Sequence, residues 1–211
     1  MEAAAEKSAR FWDRIAKSYA KQAIADPDAY QKKLALTREY LTPDSSVLEF
    51  GCGTGSTALI HAAHVKNIVA TDISRKMIEI ARQKAKKAGV ENVEFIQATL
   101  DELTYEPGSF DVVLGLNILH LLDDMDAAIR KSFELLAPGG VFISSTACIA
   151  RVNFLVKLLL PIGGKLGLIP RVQIFDIAEL EASINRAGFR IVKSAFLNRN
   201  DMTCFLIAQK Q

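Results

Sequence analysis

The sequence has 211 residues, of which 50% are hydrophobic and 24% are charged, so it can bury the core of one compact domain. Its 26 basic and 24 acidic residues are mixed along the chain and leave a formal charge of only +2. This balance argues against a strong positive electrostatic field of the kind that binds nucleic acid or anionic lipid.

The N-terminal region is predicted to form two helices. They extend over Ala3–Gln22 and Ala29–Leu41, and the break between them falls at Asp26-Pro27-Asp28 because proline does not continue a helix. The first ten residues carry charges and alanines rather than the apolar run of a secretory signal, so we do not expect export.

From residue 46 onward, short apolar runs alternate with longer stretches of helical period. The runs are rich in β-branched and aromatic residues, a pattern typical of parallel strands joined by helices. The predicted strands are Ser46–Phe50, Ile68–Thr71, Val93–Ile96, Phe110–Leu114 and Val141–Ser145. The predicted helices between them are Thr57–His64, Arg75–Lys87 and Asp123–Leu136, of which the last ends at a Pro138-Gly139-Gly140 stop.

After the fifth strand the chain changes character. Residues 151–172 form an apolar segment punctuated by glycine and proline, followed by a predicted helix at Asp176–Ala187. Phe189–Phe196 and Met202–Ala208 are predicted to pair as an antiparallel hairpin around a short loop. The sequence therefore predicts an α/β fold, a Rossmann-like doubly wound sheet of seven strands that is mostly parallel and ends in an antiparallel hairpin.

Neither a membrane span nor a metal site is expected. Residues 154–170 are the most apolar stretch, but lysine, proline and glycine interrupt them, and they fall short of the ~20 residues that a span needs. Cys52, Cys148 and Cys204 are too few and too scattered for a disulfide framework or a metal cluster. We expect reduced thiols and a cytoplasmic protein.

Three glycines, Gly51, Gly53 and Gly55, lie between the first strand and the following helix. In such a turn the backbone can pass close to a ligand. Their G-x-G-x-G spacing differs from the G-x-G-x-x-G of a nucleotide-binding Rossmann turn. The alternative is that the glycines only permit tight packing.

Two carboxylates accompany this turn. Asp72 ends the second strand about 20 residues after Gly51, the spacing at which an acidic side chain meets ribose hydroxyls. The alternative is that Asp72 caps the helix that begins near Ser74. Glu49 lies within an apolar strand, where a carboxylate needs a donor or a shifted pKa.

The segment Val47–Gly55 resembles the E/D-x-G-x-G-x-G signature of class I S-adenosylmethionine-dependent methyltransferases. Val69–Ile78 is similar to the ribose-binding segment of that family, Gly108–Val113 to its fourth strand and Leu136–Gly140 to the turn before its fifth strand. The resemblance covers roughly residues 44–146. At the front, Phe11–Tyr19 resembles the F-D-x-x-A-x-x-Y opening of the branch that includes ubiquinone and menaquinone methyltransferases.

The resemblance implies S-adenosylmethionine as cofactor and S-adenosylhomocysteine as product. Gly51 and Gly53 would hold the methionine part, Asp72 the ribose, and Ile73 and Met77 would flank the adenine. The backbone of Asn117 would lie near the methionine amine. Glu49 would contact the same amine indirectly, through a backbone group or a water molecule. The full set of implied cofactor-binding residues is Tyr19, Glu49, Gly51, Cys52, Gly53, Asp72, Ile73, Met77, Thr99, Leu100 and Asn117.

The third strand departs from the family pattern. Where the family often has an acidic residue near the adenine amino group, this chain has Gln97-Ala98-Thr99-Leu100-Asp101. The Thr99 hydroxyl or the backbone amides could serve instead.

Methyl transfer from a sulfonium is a direct displacement, so positioning and exclusion of water are the main contributions of such an enzyme. A general base is needed only if the acceptor must lose a proton. His120, after the fourth strand, is the catalytic candidate, and the alternative is a histidine that starts a helix or packs in the core. Tyr19 is either a lid residue or a core aromatic.

Two sequence motifs that are absent restrict the range of possible methyl acceptors. Gly115–His120 lacks the N/D-P-P-Y/F segment of base-methylating enzymes, and no Pro-Cys pair supplies the nucleophile for cytosine methylation. We therefore expect no nucleic-acid partner. The apolar segment suggests a small acceptor that is apolar or lipid-like, and peripheral membrane contact. Its alternative is an amphipathic helix packed on the core.

The chain is accordingly divided into four parts of one domain. Residues 1–43 are N-terminal helices that cover the cofactor site, 44–146 the cofactor-binding core, 150–172 the substrate-side insertion, and 173–211 the C-terminal helix and hairpin. Two other functions share most of these features. They are a nicotinamide-dependent oxidoreductase on a similar sheet and a non-catalytic S-adenosylmethionine-binding protein.

Overall fold

The computed structural model describes residues 2–147, 169–170, 172–197 and 203–211, and within them seven strands form one sheet. The strands are β1 (Ser46–Phe50), β2 (Asn67–Asp72), β3 (Val93–Gln97), β4 (Phe110–Leu116), β5 (Leu136–Ala147), β6 (Phe189–Phe196) and β7 (Thr203–Lys210). Their order across the sheet is β3-β2-β1-β4-β5-β7-β6.

Strands β1 to β5 run parallel, and β7 pairs antiparallel with both β5 and β6. The predicted fold, including the C-terminal antiparallel hairpin, is confirmed. The strand order reverses between β1 and β4, and at such a switch point the chain leaves neighbouring strands in opposite directions. A crevice therefore opens at the carboxyl ends of β1 and β4, directly after Phe50 and Leu116.

Six α-helices are described: α1 (Glu2–Tyr19), α2 (Pro27–Arg38), α3 (Ser56–His61), α4 (Arg75–Ala88), α5 (Met125–Leu135) and α6 (Ile177–Arg186). Short 3₁₀ turns follow α3 at Ala62–His64 and β4 at Leu119–Leu121. Side chains cap most helix starts, because each accepts a hydrogen bond from an amide that the helix leaves unsatisfied. These caps are Asp26, Ser74, Asp124 and Asp176.

Apolar side chains pack on both faces of the sheet. Leu48 and Phe50 of β1 point to the face covered by α5 and α6, whereas Val47 points to the face covered by α3 and α4. Because side chains alternate along a strand, Glu49 shares the face of Val47. Glu49, one residue before the end of β1, is thus on the face against which Leu36 of α2 packs.

Most predicted boundaries differ from the observed ones by one or two residues, but β5 differs more. It begins at Leu136, which pairs with Phe110, so Pro138-Gly139-Gly140 lies within an irregular start of the strand. Helix α5 begins at Met125 rather than Asp123 because Asp124 is its N-cap.

The predicted apolar segment, residues 151–172, lies almost entirely outside the described residues, as does Cys148. Among the helices that are described, none is long and apolar enough to cross a membrane. The described part of the chain also holds no group of three or more His, Cys, Asp or Glu side chains arranged for a metal ion.

Candidate active site

The three glycines of the turn after β1 have different surroundings. All three have positive φ, between 55° and 72°. A Cβ on Gly51 would lie 2.6 Å from Ile118 Cγ1, and one on Gly55 would lie 2.6 Å from Phe95 Cε1. A Cβ on Gly53 would meet nothing closer than Tyr19 Cε1 at 3.8 Å. Packing therefore accounts for the first and third glycines, whereas the second faces the open crevice.

Asp72, at the end of β2, holds this turn. Its Oδ2 accepts a hydrogen bond from the Gly53 amide at 2.8 Å, and its Oδ1 accepts one from the Ser74 amide at 2.8 Å. Burial raises the pKa of Asp72, and the two hydrogen bonds oppose that rise. The cap of α4 is Ser74, whose Oγ accepts from the Met77 amide at 3.1 Å. Asp72 is therefore not the helix cap, and its oxygens keep lone pairs for a ligand.

Glu49 is 3% exposed, and its Oε2 has no hydrogen-bond partner within the described residues. Burial raises the pKa of this carboxyl to about 8, while the Lys33 ammonium opposes the rise. Lys33 lies on α2 and is itself buried. Sequence reasoning missed Lys33, because nothing in the pattern of α2 marks one lysine of an adjacent pair as buried. The only signal was the unpaired carboxylate of Glu49.

Helix α1 is fastened to the start of α4 beside the turn. Asp13 Oδ1 accepts hydrogen bonds from Ser74 Oγ at 2.6 Å and from the Lys76 amide at 3.0 Å. At the C-terminal end of α1, Tyr19 packs edge-to-face on Trp12 and is 43% exposed. Tyr19 thus lies at the mouth of the crevice next to Gly53, which favours the lid role over the core role.

Asn117 follows β4 and has φ of 59°, an uncommon conformation for a residue with a side chain. Its amide donates to the Ser145 carbonyl at 2.6 Å, and its Oδ1 accepts from Ser145 Oγ at 3.1 Å. The backbone N–H of Asn117 is thus already bonded, so its backbone carbonyl is the main-chain group that it can offer to a ligand.

His120 lies in the 3₁₀ turn after β4, with Nδ1 3.2 Å from Thr146 Oγ1 on β5. Its carbonyl accepts from the Gln173 amide at 2.7 Å, which ties the chain after residue 172 back to this turn. Burial lowers the pKa of His120 to about 4, so the ring is neutral at pH 7.

The residues predicted for adenine follow β2 and β3 in the chain. Ile73 is half-buried, Met77 is buried against the core, and Leu100 is buried after β3. The Thr99 amide and hydroxyl both donate to Glu102 Oε2, at 2.7 and 3.0 Å. The Thr99 hydroxyl proton is therefore already used, which weakens the role that the sequence assigned to it.

Two further side chains stabilise the turn. Cys52 is buried, which raises the pKa of its thiol, and Sγ lies 3.7 Å from the Gly53 carbonyl. Lys84 of α4 donates to Thr54 Oγ1 at 2.8 Å and to Ser56 Oγ at 3.0 Å. The sequence did not single out Lys84, because its contacts span about 30 residues.

A family model described as a methyltransferase domain matches residues 47–140. The "Uncharacterized methyltransferase YcgJ" of Bacillus subtilis (strain 168) is 34% identical over 97 residues, which are 46% of this chain and 38% of that protein. The "Ubiquinone biosynthesis O-methyltransferase" of Azorhizobium caulinodans is 30% identical over 156 residues, which are 71% of this chain and 60% of that protein.

The crystal structure of the YcgJ protein from Bacillus subtilis has the same fold as this chain. The TM-score is 0.72 at 18% identity, and the superposition covers 86% of this chain and 99% of that one. The chain spans 24% to 39% of the length of the first three curated relatives. The residues that the family model matches include most of β1 and all of β2 to β4, with the glycine turn and Asp72.

Proposed function

We propose that this chain, which carries a class I S-adenosylmethionine-dependent methyltransferase domain, transfers a methyl group from S-adenosylmethionine to a small acceptor. The observation that carries this proposal is the Asp72 carboxylate, which is bound to the Gly53 amide where the glycine turn faces the crevice. S-adenosylmethionine supplies an activated methyl group on a sulfonium, and S-adenosylhomocysteine is the product.

The described residues fit this cofactor. Asp72 accepts hydrogen bonds from the two ribose hydroxyls with the lone pairs that Gly53 and Ser74 leave free. The orphaned Oε2 of Glu49 is an acceptor for the methionine ammonium. Asn117 offers its carbonyl to the same ammonium from the opposite side of the switch point.

Other residues would form the walls of the site rather than bind the polar groups of the cofactor. Gly51 and Cys52 form the wall of the turn, and Ile73 and Met77 flank the adenine ring on the side of α4. Thr99 and Leu100 close the pocket after β3 through backbone and apolar contact, since the Thr99 hydroxyl proton goes to Glu102. Tyr19 covers the methionine side, and the α1 helix that carries it is held by Asp13.

The protein contributes to the reaction mainly by holding the acceptor in line with the methyl group and excluding water. His120 is neutral at pH 7, so the unprotonated nitrogen of its ring can accept a hydrogen bond or a proton. If Nδ1 donates to Thr146, Nε2 carries the lone pair. His120 would then orient an acceptor hydroxyl and take its proton as the new bond forms.

We propose a small acceptor that is apolar or lipid-like. In support, residues 151–172, which come after β5 in the sequence, are rich in apolar side chains, and one relative is named for ubiquinone biosynthesis. The same segment would make any contact with a membrane surface. A cytoplasmic location fits Cys52, a buried free thiol.

The proposal is tested by calorimetric titration with S-adenosylmethionine, S-adenosylhomocysteine and NAD. Binding of both sulfur compounds without NAD supports it, whereas tight NAD binding alone would favour an oxidoreductase. Transfer of labelled methyl groups to phenolic and prenylated quinone precursors then separates an enzyme from a protein that only binds the cofactor. The matched variant is His120→Gln, which should retain cofactor affinity and lose turnover with acceptors that must be deprotonated.

A further inference from the structure

The ring of His120 is bonded to a hydroxyl from a neighbouring strand. Its Nδ1 lies 3.2 Å from Oγ1 of Thr146 on β5, and its Nε2 forms no hydrogen bond to another described residue. Thr146 is fully buried, whereas His120 is half-buried. Either the ring nitrogen or the hydroxyl can be the donor in this contact. The choice decides whether Nε2 carries a lone pair or a proton.

The main chain on both sides of this contact is fixed. The His120 carbonyl accepts a hydrogen bond from the Gln173 amide at 2.7 Å. At the start of the same turn, the Asn117 amide donates to the Ser145 carbonyl at 2.6 Å. Thr146 follows Ser145 in β5, which lies between β4 and β7 in the sheet. The distance between the ring and the hydroxyl is therefore set by the fold rather than by a freely moving side chain.

The hydroxyl proton of Thr146 decides between the two arrangements. If Nδ1 were the donor, this proton would have no acceptor among the described residues, because His120 is the only partner of Thr146 there. An unpaired O–H in a fully buried position loses its hydration without compensation. If Thr146 donates instead, its proton is satisfied, and the unpaired group is the Nε2–H of a half-buried ring. Burial lowers the pKa of His120 to about 4, so the neutral ring carries only that one proton.

We propose that Thr146 donates to Nδ1 and thereby holds His120 as the Nε2–H tautomer, which donates a hydrogen bond to a phenolate oxygen of the methyl acceptor. This inference rests on the proposed function and deepens it, because it names the class of acceptor and makes Thr146 a positioning residue. His120 then assists by binding an anion, and the ring is not needed as a base.

An aromatic hydroxyl fits a ring that offers a proton rather than a lone pair. Its pKa is about 10, as in tyrosine, and a hydrogen bond to the ionised oxygen lowers that pKa. The acceptor releases its proton to solvent before methyl transfer. The phenolate oxygen then forms a bond to the methyl carbon, while the carbon–sulfur bond breaks and its electron pair returns to sulfur. The sulfonium and phenolate charges cancel, and His120 keeps its proton.

Nitrogen-15 NMR of the histidine-labelled protein at pH 7 measures the tautomer directly, because protonated and unprotonated ring nitrogens have well-separated signals. The sequence has three histidines, and His120→Gln identifies the signals of His120. Thr146→Val removes the hydroxyl and keeps the shape, whereas Thr146→Ser keeps a hydroxyl. Ser144→Ala is the matched control, since Ser144 is buried on the same face of β5 and its hydroxyl has no partner within the described residues.

We expect the wild type, Thr146→Ser and Ser144→Ala to carry the His120 proton on Nε2, and Thr146→Val to contain both tautomers. Thermal melting reports whether each variant is folded. A wild type with the proton on Nδ1 would overturn the proposal without recourse to any variant. A folded Thr146→Val that retains only the wild-type tautomer would overturn the role of Thr146.

The acceptor class is tested with 4-nitrophenol, whose ionisation is visible by absorbance, added to the complex with S-adenosylhomocysteine. We expect the ionisation constant of the bound phenol to be about 10-fold higher in the wild type than in His120→Leu, the effect of one hydrogen bond to an anion. Absence of binding, or equal ionisation in the two proteins, would overturn phenolate as the group that His120 meets. Failure of the wild type to bind S-adenosylhomocysteine would overturn the proposed function, whereas the tautomer measured in the free protein would stand.

Discussion

The Asp72 carboxylate accepts a hydrogen bond from the Gly53 amide at 2.8 Å, so the end of β2 fixes the conformation of the turn after β1. The same carboxylate also accepts from the Ser74 amide. Asp72 therefore has two tasks, because it orders the protein side of the crevice and presents its remaining lone pairs to the ligand. A substitution at this position changes both the turn and the contact with ribose.

Replacing Asp72 with alanine should weaken S-adenosylhomocysteine binding by about 1.5 to 3 kcal/mol, the range for losing charge-assisted hydrogen bonds. Calorimetry measures the loss, and Asp101→Ala is the control because Asp101 is an exposed carboxylate shortly after β3. Thermal melting shows whether the variant is folded. If folded Asp72→Ala binds as tightly as the wild type, Asp72 does not contact the ribose.

Alanine at Gly55 should mainly lower the stability of the fold, whereas alanine at Gly53 should mainly weaken ligand binding. A Cβ at Gly55 meets Phe95 and Ala81 at 2.6 to 2.8 Å, so Gly55→Ala should lower the free energy of unfolding by roughly 2 to 4 kcal/mol. Gly53→Ala should lower the free energy of unfolding by only about 1 to 2 kcal/mol, the cost of placing a residue with a Cβ at positive φ. Its larger effect should be on ligand affinity.

Denaturant unfolding and calorimetric titration of the two glycine variants give both quantities. The assignment of Gly53 to ligand contact fails if Gly53→Ala binds S-adenosylhomocysteine normally. Its assignment as the less strained position fails if Gly53→Ala is the less stable of the two.

Glu49 should make stability fall as pH rises. Its pKa is about 8 in the folded protein, against 4.5 as the reference value, so the folded state binds the proton more tightly than the unfolded state. Stability is then lost as pH rises from about 4.5 to 8. Glu49→Gln keeps the size and shape of the side chain and removes its ionisable carboxyl. It should therefore raise the free energy of unfolding at pH 8 by on the order of a few kcal/mol.

Urea denaturation of the wild type and Glu49→Gln at pH 5 and pH 8 measures this difference. The two proteins should be close in stability at pH 5 and should diverge at pH 8. A wild type that gains stability relative to Glu49→Gln between these pH values would show that Glu49 is ionised and satisfied in the free protein.

Asp13 should control how firmly α1 covers the crevice. Asp13→Ala removes the acceptor for Ser74 Oγ and the Lys76 amide, so amide hydrogen exchange within α1 should increase. Dissociation of S-adenosylhomocysteine should also become faster. Glu6→Gln is the control, since Glu6 forms only an exposed pair with Arg10 on the same helix. Equal exchange in the two variants would mean that Asp13 does not hold the helix.

Local patterns were sufficient to predict the elements that build the site. The limits of β1 and β6 were predicted correctly, because turn residues flank their β-branched and aromatic runs. The glycine turn and Asp72 were selected as a candidate cofactor site by their spacing and by the resemblance to the methyltransferase signature. These features depend on neighbours in sequence or on a spacing that the fold imposes.

The contacts that the sequence did not reveal join distant parts of the chain. Asp13 meets Ser74 across 61 residues, and Lys84 meets Thr54 across 30. The burial of Lys33 depends on how α2 packs near β1, which no pattern within α2 records. The start of β5 was also placed too late, because its pairing of Leu136 with Phe110 overrides the turn propensity of Pro138 and the two glycines.

The most direct test of the account is a crystal structure of the protein with S-adenosylhomocysteine. We expect both ribose hydroxyls within hydrogen-bond distance of the Asp72 carboxylate, and the homocysteine end near Glu49, beneath Tyr19. A ligand whose ribose lies away from Asp72, or whose density lies outside the crevice at Gly53, would contradict the assignment of this turn as the cofactor site.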